Sequence, residues 1–263
     1  MQQNRDFDNN EAPASDVIAG RNAVAEALRS GREIDRLLVA HGASGGSLAP
    51  IIAKCRQRGI LIKEVSPQKL DLLCGGIPHQ GVALLAAAHT YCQVEDMLRL
   101  AEERGEPPFL ILCDEIEDPH NLGAIIRTAE ACGVHGVIVP KRRSASLNAT
   151  VAKAASGALE YMKVARVTNL TAVIDQLKEK GIWVYGAHME GQSWCGQGYT
   201  GPTALVIGSE GKGIGRLVAQ HCDMLVSLPM LGHINSLNAS VAAGVLMYEV
   251  ARQRSGIGAI EPK

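Results

Sequence analysis

The stretch Phe109–Cys113, which reads F-L-I-L-C, is a continuous run of five apolar residues. Such a run is typical of a strand buried on both faces of a parallel sheet. Further short apolar runs predict strands at Gly136–Pro140, Met162–Val167, Ile182–Gly186, Ala204–Gly208 and Met224–Leu228. Apolar residues at helical spacing predict helices at Asn121–Cys132, Asn148–Ser156, Leu170–Lys180 and Leu237–Arg252. The alternation predicts an α/β domain with a parallel sheet over residues 109–254.

On the N-terminal side, residues 16–91 show a second, smaller α/β pattern. It predicts helices at Gly20–Leu28 and Ser47–Arg58, and strands at Arg36–Ala40, Leu61–Val65 and Val82–Ala87. Residues 92–108 are charged and end in two prolines, which predicts a linker with a helix at Val94–Arg104. The polar residues 1–15 are predicted to be disordered, and residues 255–263 form a short C-terminal tail.

Composition restricts the class of protein. The chain is 46% hydrophobic but only 3% aromatic, so its core must be aliphatic. No apolar run is long enough to span a bilayer and the N-terminus lacks an apolar signal segment, so we expect a cytoplasmic protein. The seven cysteines form no C-x-x-C and the eight histidines no ligand spacing, which argues against a disulfide framework and a metal site.

Net charge says little about the partner. The whole chain carries a net charge of −1, whereas residues 16–92 hold nine Lys or Arg against six Asp or Glu. This excess is weak support for a polyanion partner, and a solvated surface explains the same count equally well.

Three polar stretches follow predicted strands, at the sheet edge where α/β proteins bind ligands. In the first, Asp114–Arg127, Asn121 has the position of a helix N-cap, and Arg127 lies among apolar neighbours, where it pairs with a carboxylate or faces a ligand. The second, Gly208–Gly215, is rich in glycine but matches neither the P-loop nor the dinucleotide-binding pattern. In the third, Pro229–Ser240, capping by Asn235 or Ser236 explains one polar residue but not Ser236, Asn238 and Ser240 together.

Taken together, these stretches resemble the three signature motifs of the SpoU/TrmH family of RNA methyltransferases, in the SPOUT class. They read N-L-G-A-I-I-R-T-A from residue 121, L-V-I-G-S-E-G-K-G from residue 205 and L-P-M-L-G-H-I-N-S-L-N-A-S-V-A-A-G from residue 228. G-R-N-A-V-A-E-A-L at Gly20–Leu28 and I-P-H-Q-G-V-A-L at Ile77–Leu84 resemble the family's small RNA-binding domain. The pairing is most similar to the bacterial branch that methylates a guanosine ribose of 23S rRNA.

The resemblance implies a deep trefoil knot in the C-terminal domain and an S-adenosylmethionine site built from backbone groups of the second and third stretches. The residues expected to bind this cofactor are Ile207, Gly208, Gly211, Leu228, Met230, Ser236 and Leu237. The residues expected to act in catalysis are Arg127, Asn121, Glu210, Ser236 and Asn238. Arg127 would contact the ribose 2′-hydroxyl and a phosphate, Glu210 would hold Arg127 or shape the site, and the two asparagines would orient it.

The resemblance further implies a homodimer that binds RNA, with no role for DNA, a membrane or a metal ion. Three alternatives stay open. The substrate could be tRNA, although the domain at residues 16–91 favours rRNA. The chain could instead be a catalytically silent RNA-binding or ribosome-assembly factor, or a nucleotide-dependent oxidoreductase, against which the failed glycine pattern of Gly208–Gly215 counts.

Overall fold

The computed structural model describes residues 17–30, 34–86 and 89–256 of the chain. The predicted disorder of residues 1–15 lies outside the described residues, as does the predicted tail from residue 257 onward. The described chain forms two compact units that meet in sequence between residues 88 and 89, and Leu147–Ala149 belong with the first. No helix in the described ranges is long and apolar enough to cross a membrane.

The small unit is a four-stranded sheet with helices on both faces. Its elements are β1 (Val17–Ala19), α1 (Arg21–Arg29), β2 (Ile34–Ala40), α2 (Leu48–Gln57), β3 (Leu61–Val65), α3 (Pro67–Cys74) and β4 (Val82–Ala86). The strand order is β1-β4-β2-β3, and only β2 and β3 run parallel. Leu37 and Val39 pack with α1 and α2, whereas Leu38 and Ala40 pack with α3. Because both faces of β2 are covered here, its second half, Leu37–Ala40, is an unbroken apolar run.

The large unit is the predicted parallel α/β domain. Its elements are α4 (Val94–Arg104), β5 (Phe109–Cys113), α5 (Pro119–Ala131), β6 (Gly136–Pro140), α6 (Ala149–Ala155), β7 (Val164–Val167), α7 (Leu170–Glu179), β8 (Trp183–Ser193), β9 (Thr203–Ile207), α8 (Arg216–His221), β10 (Met224–Ser227) and α9 (Ala239–Arg254). All five strand pairings are parallel. The helix predicted at Val94–Arg104 is confirmed, and its Met97 and Ala101 are fully buried.

Strand order positions the three polar stretches. The sheet runs β10-β8-β9-β5-β6-β7, so β5 lies at its centre and all five of its residues are fully buried. The chain moves outward from β5 to β6 and β7, and then returns on the other side through β8, β9 and β10. The order therefore reverses between β5 and β9, and a crevice is expected at the carboxyl ends of these two strands.

Some predicted elements differ from those observed. The elements β1, α3 and α8 have three, eight and six residues, and sequence patterns this short did not predict them. Strand β8 was predicted to end at Gly186 but continues to Ser193, since its pairing with β10 resumes after a register shift at Leu225 and Val226. The trefoil knot implied by the resemblance stays a prediction.

A buried histidine makes the stability of the large unit depend on pH. Nδ1 of His135 accepts the Phe109 N–H at 3.0 Å, so the neutral ring donates from Nε2 to Glu106 Oε2, also at 3.0 Å. Burial lowers the pKa of this imidazole below its ordinary value of 6.5. Below about pH 6.5 the folded state therefore binds fewer protons than the unfolded chain. The contribution of neutral His135 to the free energy of unfolding is complete above about pH 6.5 and is lost as the pH falls.

We expect the free energy of unfolding in urea to be lower at about pH 5.5 than at about pH 7.5. His135→Asn keeps an acceptor for the Phe109 N–H but does not titrate, so its stability should fall less over the same interval. An equal fall in the variant and in the unchanged protein would show that other groups cause the pH dependence.

Candidate active site

One cavity of about 440 Å³ opens at the carboxyl ends of β9 and β10. The segments after these two strands supply most of its wall, and residues of β8 and α9 complete it. All seven residues predicted to bind a cofactor line it: Ile207, Gly208, Gly211, Leu228, Met230, Ser236 and Leu237. Two stretches that lie about 20 residues apart in sequence thus form one concave surface, whose volume is within the range of small-molecule sites.

Gly208 allows the glycine-rich loop to fold back on itself. A Cβ at this position would lie 2.0 Å from the carbonyl carbon of Gly213 and 2.2 Å from the nitrogen of Ile214. Ser209 and Gly213 exchange two backbone hydrogen bonds, and Gly211 and Gly213 have positive φ angles of 77° and 65°. The turn therefore requires glycine at several positions, which explains the composition of this stretch without a phosphate-binding role.

A buried carboxylate ties this loop to the central strand. Asp114, directly after β5, accepts a hydrogen bond from the N–H of Gly215 at 2.7 Å, and burial raises the pKa of Asp114. The contact joins the first polar stretch to the end of the second across the reversal in strand order. No pattern in the sequence indicates a role for Asp114, because only the pairing of β5 with β9 brings the two segments together.

Three predicted catalytic residues, one from each stretch, form a single hydrogen-bonded cluster. Nδ2 of Asn121 donates to Oε1 of Glu210 at 3.3 Å, and Nδ2 of Asn238 donates to Oδ1 of Asn121 at 2.9 Å. Nδ2 of Asn238 also donates to the same oxygen of Glu210. Oε1 of Glu210 thus accepts two hydrogen bonds from side-chain amides, and the three polar stretches converge at this point.

The helix caps differ from those predicted. The N-cap of α5 is Asp118, whose Oδ1 accepts the His120 N–H at 2.9 Å, because Pro119 takes the first helical position and starts the helix two residues early. Asn121 is therefore free of the capping role. The N-cap of α9 is Asn238, not Asn235 or Ser236, and its Oδ1 accepts from the N–H groups of Ser240 and Val241. Asn238 combines capping with the cluster, while the exposed Ser236 lines the cavity.

Arg127 lies on an exposed part of α5, six residues beyond Asn121. Its Nη1 donates to Oγ of Ser156 at 3.4 Å. Of the two roles expected for Glu210, holding Arg127 is not observed, because its carboxylate is turned toward the two asparagines, and shaping the site stays a prediction. Among the described residues no carboxylate lies within 4.0 Å of the Arg127 guanidinium, so a structural salt bridge does not account for this side chain.

Sequence reasoning missed part of the cavity wall. Ala187, His188 and Met189 of β8 line the cavity, although the predicted strand stopped at Gly186. A Cβ on Gly191, further along β8, would lie 2.5 Å from the nitrogen of Val226, so this glycine permits the close approach of β10. The only signal in the sequence was the glycine inside the extended segment, which is typical of close backbone approach or a bulge.

The two roles of Asn238 can be separated by substitution. Asn238→Ser keeps an N-cap oxygen but lacks the amide N–H, so we expect an almost unchanged free energy of unfolding, while Asn238→Ala should lose ~1 kcal/mol. Both variants should lose at least about tenfold in the methyl-transfer turnover that the sequence resemblance implies, since Glu210 loses a hydrogen-bond donor. Urea unfolding and single-turnover kinetics measure the two effects, and full turnover in Asn238→Ser would exclude the cluster from catalysis.

Two family models match the chain. Residues 108–248 match the SpoU rRNA methylase family, and residues 17–92 match the RNA 2′-O ribose methyltransferase substrate-binding family. No group of three or more His, Cys, Asp or Glu side chains among the described residues could hold a metal ion.

Relatives agree with these matches over nearly the whole chain. The chain is 48% identical over 244 residues to YacO of Bacillus subtilis (strain 168), which is described as a TrmH family tRNA/rRNA methyltransferase. The match covers 92% of this chain and 98% of that protein. Among solved structures, it resembles the SpoU methyltransferase AviRb of Streptomyces viridochromogenes in complex with AdoMet, with a TM-score of 0.58, 26% identity and coverage of 91% and 90%.

It also resembles a TrmH/SpoU tRNA-modifying enzyme of A. aeolicus, with a TM-score of 0.53, 28% identity and coverage of 62% of this chain and 84% of that one. Three findings agree on the family: a model that matches more than half of the chain, a second model that matches its small unit, and a relative of almost equal length. The chain belongs to the SpoU/TrmH family of RNA methyltransferases.

Proposed function

We propose that this protein uses S-adenosylmethionine to methylate the 2′-hydroxyl of a ribose in rRNA, and that the target is a guanosine of 23S rRNA. The observation that carries the proposal is the convergence of the three stretches: two of them line one cavity, and all three contribute to the Asn121–Glu210–Asn238 cluster. This arrangement supplies a binding site for a small donor beside polar groups able to orient a substrate.

The cavity fits the cofactor in size and in chemistry. Ile207, Leu228, Met230 and Leu237 offer apolar surface that would suit an adenine ring, and backbone groups of Gly208 and Gly211 would be able to bind its polar edge. The related AviRb was solved with AdoMet bound, which supports the same ligand here. When bound, S-adenosylmethionine supplies an electrophilic methyl group on a sulfonium. In this chain, Ser236 and the residues of the glycine-rich loop would hold it.

Arg127 is proposed to steady the attacking oxygen. A ribose hydroxyl is a weak nucleophile, so the cost of developing negative charge on its oxygen must be lowered. The guanidinium of Arg127 is exposed and bound to no carboxylate of the described residues, so its positive charge is available to a ribose oxygen and a neighbouring phosphate. An arginine resists deprotonation, which favours this electrostatic role over that of a general base.

The small unit supports a large RNA substrate. Residues 17–92 match a substrate-binding family, and the proposed domain division, 16–91 and 109–254 joined by 92–108, assigns RNA recognition to the first part. The match to a tRNA-modifying enzyme covers only 62% of this chain. The family model that matches residues 108–248 is described as that of the SpoU rRNA methylases. Both findings favour rRNA, and tRNA remains the alternative substrate.

Mapping of ribose methylation tests the proposal. RNA from cells with and without the gene should differ at one 2′-O-methylated guanosine of 23S rRNA, and the purified protein should restore this mark on the unmodified RNA with S-adenosylmethionine. A mark lost only from tRNA would establish the alternative substrate. Unchanged marks, together with no S-adenosylmethionine binding in calorimetry, would indicate the silent RNA-binding factor.

We also propose a homodimer formed through α9. One face of this helix packs on its own unit through buried residues that include Ala243, Met247 and Val250, while Val241, Val245 and Tyr248 stay exposed. These exposed residues lie at helical spacing i, i+4 and i+7 and form a groove with Ala124 and Thr128 of α5. A two-fold contact of this face with a second copy would cover its apolar surface.

Light scattering can check the dimer. Tyr248→Glu places a charge on the exposed face of α9, and we expect it to convert the dimer to monomer, because burying an unpaired carboxylate is costly. Leu72→Glu in the small unit, where the side chain is also exposed, is the control and should remain dimeric. A dimeric Tyr248→Glu would exclude this face, and a monomeric unchanged protein would exclude the dimer.

A cytoplasmic location is proposed on the basis of thiol chemistry. All seven cysteines are free, and burial raises the pKa of Cys55 to about 11, of Cys132 to about 11 and of Cys222 to about 12. Free thiols, several of them buried, fit a reducing compartment.

A further inference from the structure

The turn that follows α6 bears the one hydroxyl that contacts Arg127 among the described residues. Ser156 Oγ accepts a hydrogen bond from Nη1 of Arg127 at 3.4 Å, and both residues lie on the surface. Since no carboxylate of the described ranges lies within 4.0 Å of this guanidinium, Ser156 is the protein group that biases its direction. Neither family resemblance nor helix periodicity assigned a role to Ser156.

The backbone at Ser156 is strained. Its φ is 49°, in the left-handed region, and Gly157 follows with a φ of 89°. The Ser156 N–H donates to the Lys153 carbonyl at 3.2 Å, and Gly157 accepts from the N–H of Glu160, so the turn is fixed on both sides. A serine in this region costs free energy that glycine would not cost, and such strain is typically retained where the side chain has a use.

Helix α5 brings this turn to Arg127. Gly123 lies four residues before Arg127 and hence on the same face of the helix. A Cβ at Gly123 would lie 2.4 Å from the Cβ of Ala154 and 2.8 Å from the Val151 carbonyl oxygen. The missing side chain therefore lets the last turn of α6 pack directly on α5, and the residue that follows this turn is Ser156.

We infer that Ser156 is a positioning residue that directs the Arg127 guanidinium toward the ribose oxygen, and that Gly123 makes this contact possible by admitting α6. The inference rests on the proposed function, because it assumes that Arg127 faces the substrate. The Ser156 hydroxyl acts through Arg127 and has no chemical step of its own. The left-handed backbone aims the hydroxyl at α5, where a regular helical extension of α6 would point it elsewhere.

Two substitutions separate the hydroxyl from the backbone. Ser156→Gly relieves the strain and removes the hydroxyl, while Ser156→Asn tolerates the left-handed backbone and keeps a side-chain acceptor oxygen. We expect Ser156→Gly to fold at least as stably as the unchanged protein and to bind S-adenosylmethionine equally well, but to lose about fivefold to tenfold in kcat with little change in KM. Ser156→Asn should recover most of that loss.

The same assay in the Arg127→Ala background completes the test. If Ser156 acts through Arg127, adding Ser156→Gly to Arg127→Ala should cause no further loss in single-turnover rate. Either of two results would overturn the inference. One is a kcat of Ser156→Gly equal to that of the unchanged protein. The other is a fall in single-turnover rate on adding Ser156→Gly that is as large in the Arg127→Ala background as in the unchanged protein. Full activity of Arg127→Ala would also overturn the inference, because Ser156 would then have no functional arginine to position. Failure of the unchanged protein to bind S-adenosylmethionine and to methylate RNA would instead overturn the proposed function, so the two failures are distinguishable.

Discussion

Replacing Arg127 by alanine should lower the methyl-transfer turnover about 100-fold to 1000-fold, the magnitude typical of removing a group that stabilises developing negative charge. The fold should survive, because the side chain is exposed and its one hydrogen bond among the described residues, to Ser156, is long. The cofactor cavity should survive too, since Arg127 is absent from its lining. The expected result is a fall in kcat with unchanged S-adenosylmethionine affinity and unfolding temperature.

Arg99→Ala is the matched control. Arg99 is an equally charged, exposed side chain of α4, where it pairs with Asp96, so its removal should change turnover less than about twofold. Arg127→Lys adds a second comparison, because it keeps the charge and loses the planar donors. Single-turnover rates and calorimetry measure the two quantities. Turnover within about twofold of the unchanged protein in Arg127→Ala would remove this arginine from the mechanism.

Gly208→Ala should have the second largest effect. The added Cβ would stand 2.0 Å from the carbonyl carbon and 2.2 Å from the carbonyl oxygen of Gly213, and both are backbone atoms that no side-chain rotation can move. The loop must open, at a cost of ~2–3 kcal/mol typical of overpacking. Because the same loop lines the cavity, we expect S-adenosylmethionine affinity to fall ~30-fold or more, together with the free energy of unfolding.

Gly196→Ala is the control for the loss of a glycine. A Cβ at Gly196 meets nothing within 4 Å, so both affinity and stability should remain close to those of the unchanged protein. Calorimetry and urea unfolding on the two variants measure the difference. Unchanged affinity in Gly208→Ala would mean that the glycine-rich loop does not shape the binding site, and the cofactor would then have to bind elsewhere.

Much of the fold could be predicted from residue patterns. The run Phe109–Cys113 predicted a strand buried on both faces, and β5 lies at the centre of a six-stranded parallel sheet with every residue buried. The bounds of the predicted helices lie within a few residues of those observed, and the differences at the starts of α5 and α9 come from misplaced caps. Pro119 and Asp118 started α5 early, and Asn238 started α9 late, because capping depends on which side chain reaches a free backbone N–H.

The candidate site could be predicted as a set of residues but not as an arrangement. Glu210 was expected to hold Arg127 or to shape the site, and its carboxylate accepts hydrogen bonds from Asn121 and Asn238. Three features could not be read from the order of residues along the chain. They are the contact of Ser156 with Arg127, the hydrogen bond from Gly215 to Asp114 and the part of the cavity wall formed by β8. Each contact joins segments that are more than 25 residues apart in sequence or depends on a pairing register.

The sequence by itself determined the parallel α/β class and the three polar stretches, because apolar spacing along the chain reports which residues are buried in a strand or helix. Only the tertiary structure decided which donors and acceptors of the candidate site form hydrogen bonds with each other. The strand order places the ends of β5 and β9 side by side, and Gly208 and Gly123 admit backbone contacts that no local pattern records. The physical reason is that burial is a property of each residue and its near neighbours, while a site depends on distances between atoms that only chain packing fixes.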